Sequence, residues 1–322
     1  MEPSKLSPEA EHAVHFRKFT QRLAQKFEPL HIFNFSQNSY THNSQSCFND
    51  NESHFKCNYC LLVVTETATR MNYEMQDFAN SYYQHGTITI ICHGRQSVMD
   101  AVQQNSRFFI GVLTYGKMLY SKDRLLDNDP ISAFIPTKGA IKAIRHYEHR
   151  IPLADGFLMC ASECLEKEQF GICAFMLHQA VEQTCICLVR VNIAYRSEFH
   201  NLYRLLRLCT CFSEKPFQLF LSTPEDERLF DIMAKSYSGS RYKDDFTVSR
   251  QDAEHLYQRV ASFLLLAKEM CNEKIALLAK SASDYAVLKN AEHVQIEKIL
   301  QTNIRNYEEA NKQNIGEQDR LS

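Results

Sequence analysis

The chain has 322 residues, 44% of them hydrophobic and 23% charged, and its 36 basic against 38 acidic side chains leave a formal charge of −2. That length suffices for two domains of about 100–200 residues each. The near-neutral balance excludes a global field that recruits nucleic acid or an anionic membrane, while leaving room for a local patch.

No run of about 18 apolar residues stands out as a membrane span, and Met1–Lys5 lacks the basic and apolar regions of a signal peptide. Twelve cysteines without a secretory signal are expected to be free thiols, so a cytoplasmic protein is expected. Cys57 and Cys60 have CxxC spacing, but no second CxxC or HxxxH completes a zinc site. Cys185 and Cys187 would stand about 200° apart around a helix and cannot share a metal. Buried, inert cysteines and no metal or cofactor are expected.

In chain order, Ser7-Pro8-Glu9 is a helix start, with a capping hydroxyl, proline in the first turn and acid behind it. Phe16, Phe19, Leu23 and Phe27 then recur at helical spacing. His31–Phe35 predicts a short strand, and the Ser-, Asn-, Gln- and His-rich stretch 36–56 a long loop. Tyr59–Val64 is continuously apolar, as in a strand covered on both faces. A helix over 72–83, a strand at Thr87–Ile91, helices over 97–104 and, less clearly, 107–114, and a short strand at 117–120 follow. Asp127 to Pro136, with Asn128-Asp129-Pro130 inside it, marks a boundary. Beyond it helices are expected over 154–167, 170–190, 200–211, 224–238 and 250–271, with good starts at Thr223-Pro224 and Ser249-Arg250. The expected fold class is α+β: a small mixed α/β domain over 1–126, a linker over 127–150, an all-α bundle over 151–272 and a helical tail over 273–322.

Three landmarks carry a resemblance. Ala174–Glu182, which ends in His178-Gln179-Ala180-Val181-Glu182, resembles the second helix of HEPN domains. Phe199-His200-Asn201-Leu202 resembles the family's next helix opening, and Ser240-Arg241-Tyr242-Lys243-Asp244-Asp245-Phe246 its turn before the last helix. The resemblance implies a HEPN helical bundle that pairs into a homodimer and binds a nucleotide or RNA. From the residues themselves, Phe170, Ala174, Leu177, Val181, Thr184 and Leu188 form a core face. His178 and Glu182, at i and i+4, lie on an adjacent stripe. They are either a helix-surface pair worth a few tenths of a kcal/mol or part of a ligand cluster with Arg241, Tyr242 and His200. HEPN ribonucleases resemble one another in an Arg followed a few residues later by His, the Arg stabilising phosphorane charge and the His moving a proton. Here Arg241 is followed by Phe246, Thr247 and Val248, without a histidine. Arg250 and His255 have a matching spacing but stand about 140° apart on a helix.

The N-terminal half resembles nucleotidyltransferases. Ile32–Gln37 matches a strand ending in Gly-Ser, and Asn58–Val64 the next strand, where Asp-x-Asp would bind magnesium. Those two positions are Asn58 and Cys60, and Thr87–Ile91 offers no third carboxylate. Hard divalent ions need oxygen anions, and Ser36-Gln37 lacks the glycine that lets backbone amides approach phosphates. The expectation is therefore a non-catalytic HEPN protein that binds nucleotide or RNA and dimerises, possessing no catalytic residues and related to toxin–antitoxin or defence systems. The competing expectations are a metal-independent HEPN ribonuclease using Arg250 with His255, or Arg241 with His200, and a structural protein assembled through its tail helix.

Overall fold

Residues 7–44, 52–67, 71–122 and 133–318 are described by the structure, a computed structural model. Helix α1 (Pro8–Phe27) begins where the capping residues place it: the Ser7 hydroxyl accepts from the Ala10 N–H, and Pro8 opens the first turn. Strands β1 (His31–Ser44) and β2 (Glu52–Thr65) follow, then α2 (Asn72–Tyr82), β3 (Gly86–Gly94), α3 (Arg95–Gln103), α4 (Arg107–Tyr115) and the short strand β4 (Lys117–Ser121). The sheet order is β3-β2-β1-β4. β1 pairs antiparallel with β2 and β4, whereas β2 and β3 are parallel, joined by the α2 crossover that a parallel pair requires.

The polar stretch 36–56 is not a long loop. β1 continues through it to Ser44, and the ladder with β2 runs from Ser36↔Cys60 to Ser44↔Glu52; residues 45–51 lie outside the described residues. The hydrogen bonds of an antiparallel ladder come from the backbone, so two polar arms can pair without apolar alternation to announce them.

The apolar run of β2 is covered on both faces, as read from the sequence. Tyr59, Leu61 and Val63 meet α1 and α2 in one core, with Phe19, Leu23, Met75 and Phe78. Cys60, Leu62 and Val64 face the other way, into a core shared with the helical bundle. The sheet is thus a middle layer: one face has a core of its own with α1 and α2, and the other shares its core with the bundle.

The bundle consists of α5 (Gly139–Glu166), α6 (Phe170–Ile193), α7 (Leu202–Cys209), α8 (Lys215–Leu221), α9 (Pro224–Tyr242) and α10 (Arg250–Gln318). The expected 127–150 linker is helical from Gly139 onward, because α5 runs through Pro152. Pro152 lies on the exposed side of α5 while Ile151, Ala154 and Ala161 are buried, so packing outweighs one missing N–H. Helix α8 was not foreseen, since Pro216 reads as a breaker yet sits in the first turn. The expected separate tail is the uninterrupted continuation of α10; Leu278 is still buried, while Val287 and Leu288 are exposed. Helix α6 is long and apolar enough to cross a membrane by length and composition, which amends the sequence reading; here it is the buried centre of the bundle.

Candidate functional site

Helix α6 carries the first two expected residues. Ala174, Leu177, Val181, Thr184 and Leu188 point into the core, and the neighbouring stripe places His178 and Glu182 at 3% and 5% exposure. That burial removes the surface-pair reading, which requires two solvated side chains. The Glu182 carboxylate instead accepts a 3.0 Å hydrogen bond from Nδ1 of His200, whose side chain is largely exposed just before α7. Its other oxygen lies 4.0 Å from Nδ1 of His178.

Burial, reinforced by the positive charges of Arg241 and His200, pushes the His178 pKa down to about 4. His178 is therefore neutral at pH 7, and its contact with Glu182 is not an ion pair. The Gln179 amide nitrogen is 3.2 Å from Nδ1 of His178. An amide donates there, which assigns the imidazole proton to Nε2.

Arg241 joins this cluster from the C-terminal turn of α9. Its Nε donates to the Tyr237 carbonyl at 2.6 Å, and its guanidinium carbon sits 4.0 Å over the Tyr237 ring. The rings of Tyr242 and Phe175 follow at 5.0 and 5.6 Å. The Tyr237 ring is 5.2 Å from that of His178, so one aromatic side chain bridges the two. The turn is held by Phe246, whose ring folds onto Gly239 so closely that a Cβ there would meet it at 2.5 Å. The structure thus brings His178, Glu182, His200 and Arg241 together, while Tyr242 is 76% exposed at the edge of the cluster.

A groove of about 290 Å³ opens beside the cluster, with Tyr73 of α2 on its rim and His178, His200, Asn201, Arg204 and Tyr237 among its walls. Tyr237, Arg204 and Tyr73 were not foreseen. Tyr237 could have been, because it stands at i−4 from Arg241 on a helix. No spacing connects Tyr73 with the bundle.

Arg250 is committed elsewhere. It pairs with Glu168 and Glu254, and its guanidinium lies 5.3 Å from the Phe170 ring. His255 is exposed on the same helix, near the charges of Asp252 and Glu225. The Arg250–His255 dyad therefore has no shared site, as their angular separation around the helix implied.

On the sheet, Asn58 spends its side-chain oxygen on β3, accepting from the Thr87 amide at 3.2 Å and hydroxyl at 2.8 Å. Cys60 is buried against the bundle with Sγ 4.0 Å from the Arg207 carbonyl. A hydrogen bond shared with Cys211, together with burial, drives its thiol pKa up. Asn38 Nδ2 donates to the Thr210 carbonyl at 3.1 Å, and Arg204 Nη2 donates to the Ile90 carbonyl at 2.8 Å. An amide already engaged and a protonated thiol under a packed helix do not fit a pair of magnesium ions.

Residues 147–270, from within α5 to Met270 in α10, match the family model of the HEPN domain. Over those residues the helical bundle is similar to HEPN domains. Among solved structures, the chain is similar to a nucleotidyltransferase-like protein from Exiguobacterium sibiricum 255-15, at 9% identity over 82% of this chain and 78% of that one. The TM-score is 0.27, and a likeness that loose carries no argument. Among curated proteins nothing matches the chain. The match to the HEPN family supports a nucleotide- or RNA-related role.

Proposed function

We propose that the protein is a non-catalytic, cytoplasmic HEPN protein that binds a nucleotide or RNA in the groove beside His178, Glu182, His200, Arg241 and Tyr242, and that forms a homodimer through its HEPN helices. A setting in toxin–antitoxin or defence systems belongs to the same reading. The observation that carries the proposal is Arg241. Its guanidinium is oriented by one hydrogen bond and an aromatic face, and no carboxylate among the described residues lies within 4.0 Å of it. An arginine so held keeps donors for a phosphate and a flat surface for a base. Lack of catalysis is supported by the turn after Arg241, which has no histidine, and by the missing carboxylates on the sheet. Dimerisation is supported by exposed apolar side chains on the bundle, including Met159 of α5 and Leu265 of α10.

Calorimetric titration of the full chain with ATP, GTP and a short single-stranded RNA tests the groove. Binding by any of them is expected to weaken at least tenfold in Arg241→Ala. Unchanged affinity in that variant would remove the groove from the argument.

One observation favours the ribonuclease as a second reading. Buried Glu182 orients the exposed imidazole of His200 in the cluster that contains Arg241, the arrangement by which a carboxylate positions a general base. Cleavage of single-stranded or structured RNA that disappears in His200→Ala would establish it in place of the binder.

A further inference from the structure

The C-terminal end of α6 borders a second cavity, of about 470 Å³. Its construction is specific. Asn105, in the left-handed conformation (φ 58°) between α3 and α4, clamps the segment leading into α5. The Asn105 Nδ2 donates to the Ile135 carbonyl at 2.6 Å, and the Ile135 amide donates back to Oδ1 at 3.0 Å. This fixes Phe134 and Ile135 as an apolar wall. Six basic residues also line the cavity, Arg107, Lys138, Lys142, His146, Arg190 and Arg196, with no aspartate or glutamate among the lining residues.

Among the described residues, none of these lysines and arginines is ion-paired to a carboxylate. Arg190 shows the cost. Its Nε is buried without a partner, and its Nη1 faces the His146 ring at 3.4 Å. Burial and the surrounding arginines push the pKa of His146 below its ordinary value, so no imidazolium adds to the crowd at pH 7. Helix α4 also begins at this cavity, at Ser106, without a side-chain cap for its first-turn N–H groups, whereas α5 is entered through a 3-10 turn (Pro136–Lys138) whose Pro136 carbonyl accepts from the Gly139 N–H. Concentrated positive charge, an unmet arginine donor and one uncapped helix start converge on one concave space.

We propose that this cavity binds a small oligophosphate, its phosphates held by Lys138, Lys142, Arg190 and Arg196 and any organic body resting on Phe134 and Ile135. The volume falls in the range of roughly 300–1,000 Å³ typical of small-molecule sites. The basic groups close around one hollow instead of following a track, which suits a compact ligand better than a nucleic-acid strand. The cavity is distinct from the Arg241 groove, since Arg190 follows Glu182 by two helical turns, about 12 Å along the axis.

The test is calorimetry on the full chain with inorganic tripolyphosphate, ATP, GTP and a short single-stranded RNA, for the wild type, Lys142→Glu/Arg196→Glu and Arg241→Ala. Both reversed side chains are exposed; circular dichroism checks folding, and Lys142→Gln/Arg196→Gln serves if the reversal unfolds the chain. Tripolyphosphate is expected to bind at least tenfold more weakly to the double variant and equally to Arg241→Ala. In the Arg241→Ala background, ATP or GTP binding more tightly than tripolyphosphate would identify a nucleotide as the source of the phosphates, and equal affinity would mean that phosphates alone are recognised. No heat from tripolyphosphate, or tripolyphosphate binding lost in Arg241→Ala and kept in the double variant, would each overturn the proposal. Because the groove and the cavity answer to different variants, either can fail without the other.

Discussion

The two ends of α6 handle charge in opposite ways. Around His178, the charged groups find partners inside the protein: Glu182 accepts from His200, Arg241 donates to the Tyr237 carbonyl, and Arg204, though its buried Nε is unmet, donates through Nη2 to the Ile90 carbonyl across the interface with the sheet. About three turns beyond His178, Arg190 has a buried donor unmet as well, and it sits among other cations in a cavity lined by no carboxylate. A satisfied polar cluster contributes to stability even without a ligand, whereas an unsatisfied one costs stability until an anion arrives. Substitutions at the first end should therefore destabilise the protein, and neutralising ones at the second should not.

The largest effect is expected at Arg204. Its guanidinium is 7% exposed, lies 3.6 Å over the Phe199 ring and holds the Ile90 carbonyl of β3. Burial lowers its pKa to about 10, which keeps it charged at neutral pH. Arg204→Ala strands that carbonyl and opens a cavity between sheet and bundle, for a loss of about 2–4 kcal/mol in chemical denaturation. A loss below about 0.5 kcal/mol would mean that the interface is not held there.

His178 gives a similar effect, visible only in acid. Its folded pKa of about 4 lies below the unfolded value of about 6.5, so the unfolded chain takes up the proton first. The neutral form contributes fully above pH ~6.5, and that contribution is lost as pH falls toward 4, amounting to about 3 kcal/mol. Denaturation midpoints of His178→Gln measured from pH 7 to 4 should fall less than those of the wild type. Parallel curves would show that His178 titrates normally.

How much of this was legible depended on whether the cause was local. The starts of α1 and α9 could be read because Ser7-Pro8 and Thr223-Pro224 are local signals; Thr223 and Asp226 do form a reciprocal capping box. The double burial of β2 could be read because both its faces are apolar. The hairpin arms could not, since their pairing is a backbone matter, and α5 was hidden by Pro152, whose cost is outweighed by packing elsewhere. The cluster at His178 was partly legible because His178–Glu182 and Tyr237–Arg241 are each one helical turn apart. The basic cavity was not: its cations are scattered from Arg107 to Arg196 and meet only through the fold, inside a chain whose formal charge is −2.

Gly239 tests the support of the first end. The Phe246 ring occupies the space of its missing side chain, and that contact fixes the turn presenting Arg241. Gly239→Ala should displace the ring at a cost of about 1–3 kcal/mol, the usual penalty of overpacking. It should also weaken binding in the groove while leaving the oligophosphate cavity unchanged. Full groove affinity in a destabilised Gly239→Ala protein would separate the position of Arg241 from the packing beneath it.

The smallest effect has the opposite sign. Lys142 is exposed at the mouth of the basic cavity, among Lys138, Arg190 and Arg196 and without a carboxylate partner. Replacing it with glutamine removes repulsion and strands no acceptor, so the ligand-free protein should gain a few tenths of a kcal/mol, the scale of exposed charge interactions. The gain should shrink in high salt, because screening weakens the same repulsion in the wild type. The variant should also lose part of its affinity for tripolyphosphate. Lower stability in Lys142→Gln, independent of salt, would mean that these cations are already neutralised within the fold, and the contrast between the two ends of α6 would disappear. Higher stability joined to weaker binding would identify the cluster as one kept for a ligand at the expense of the empty protein.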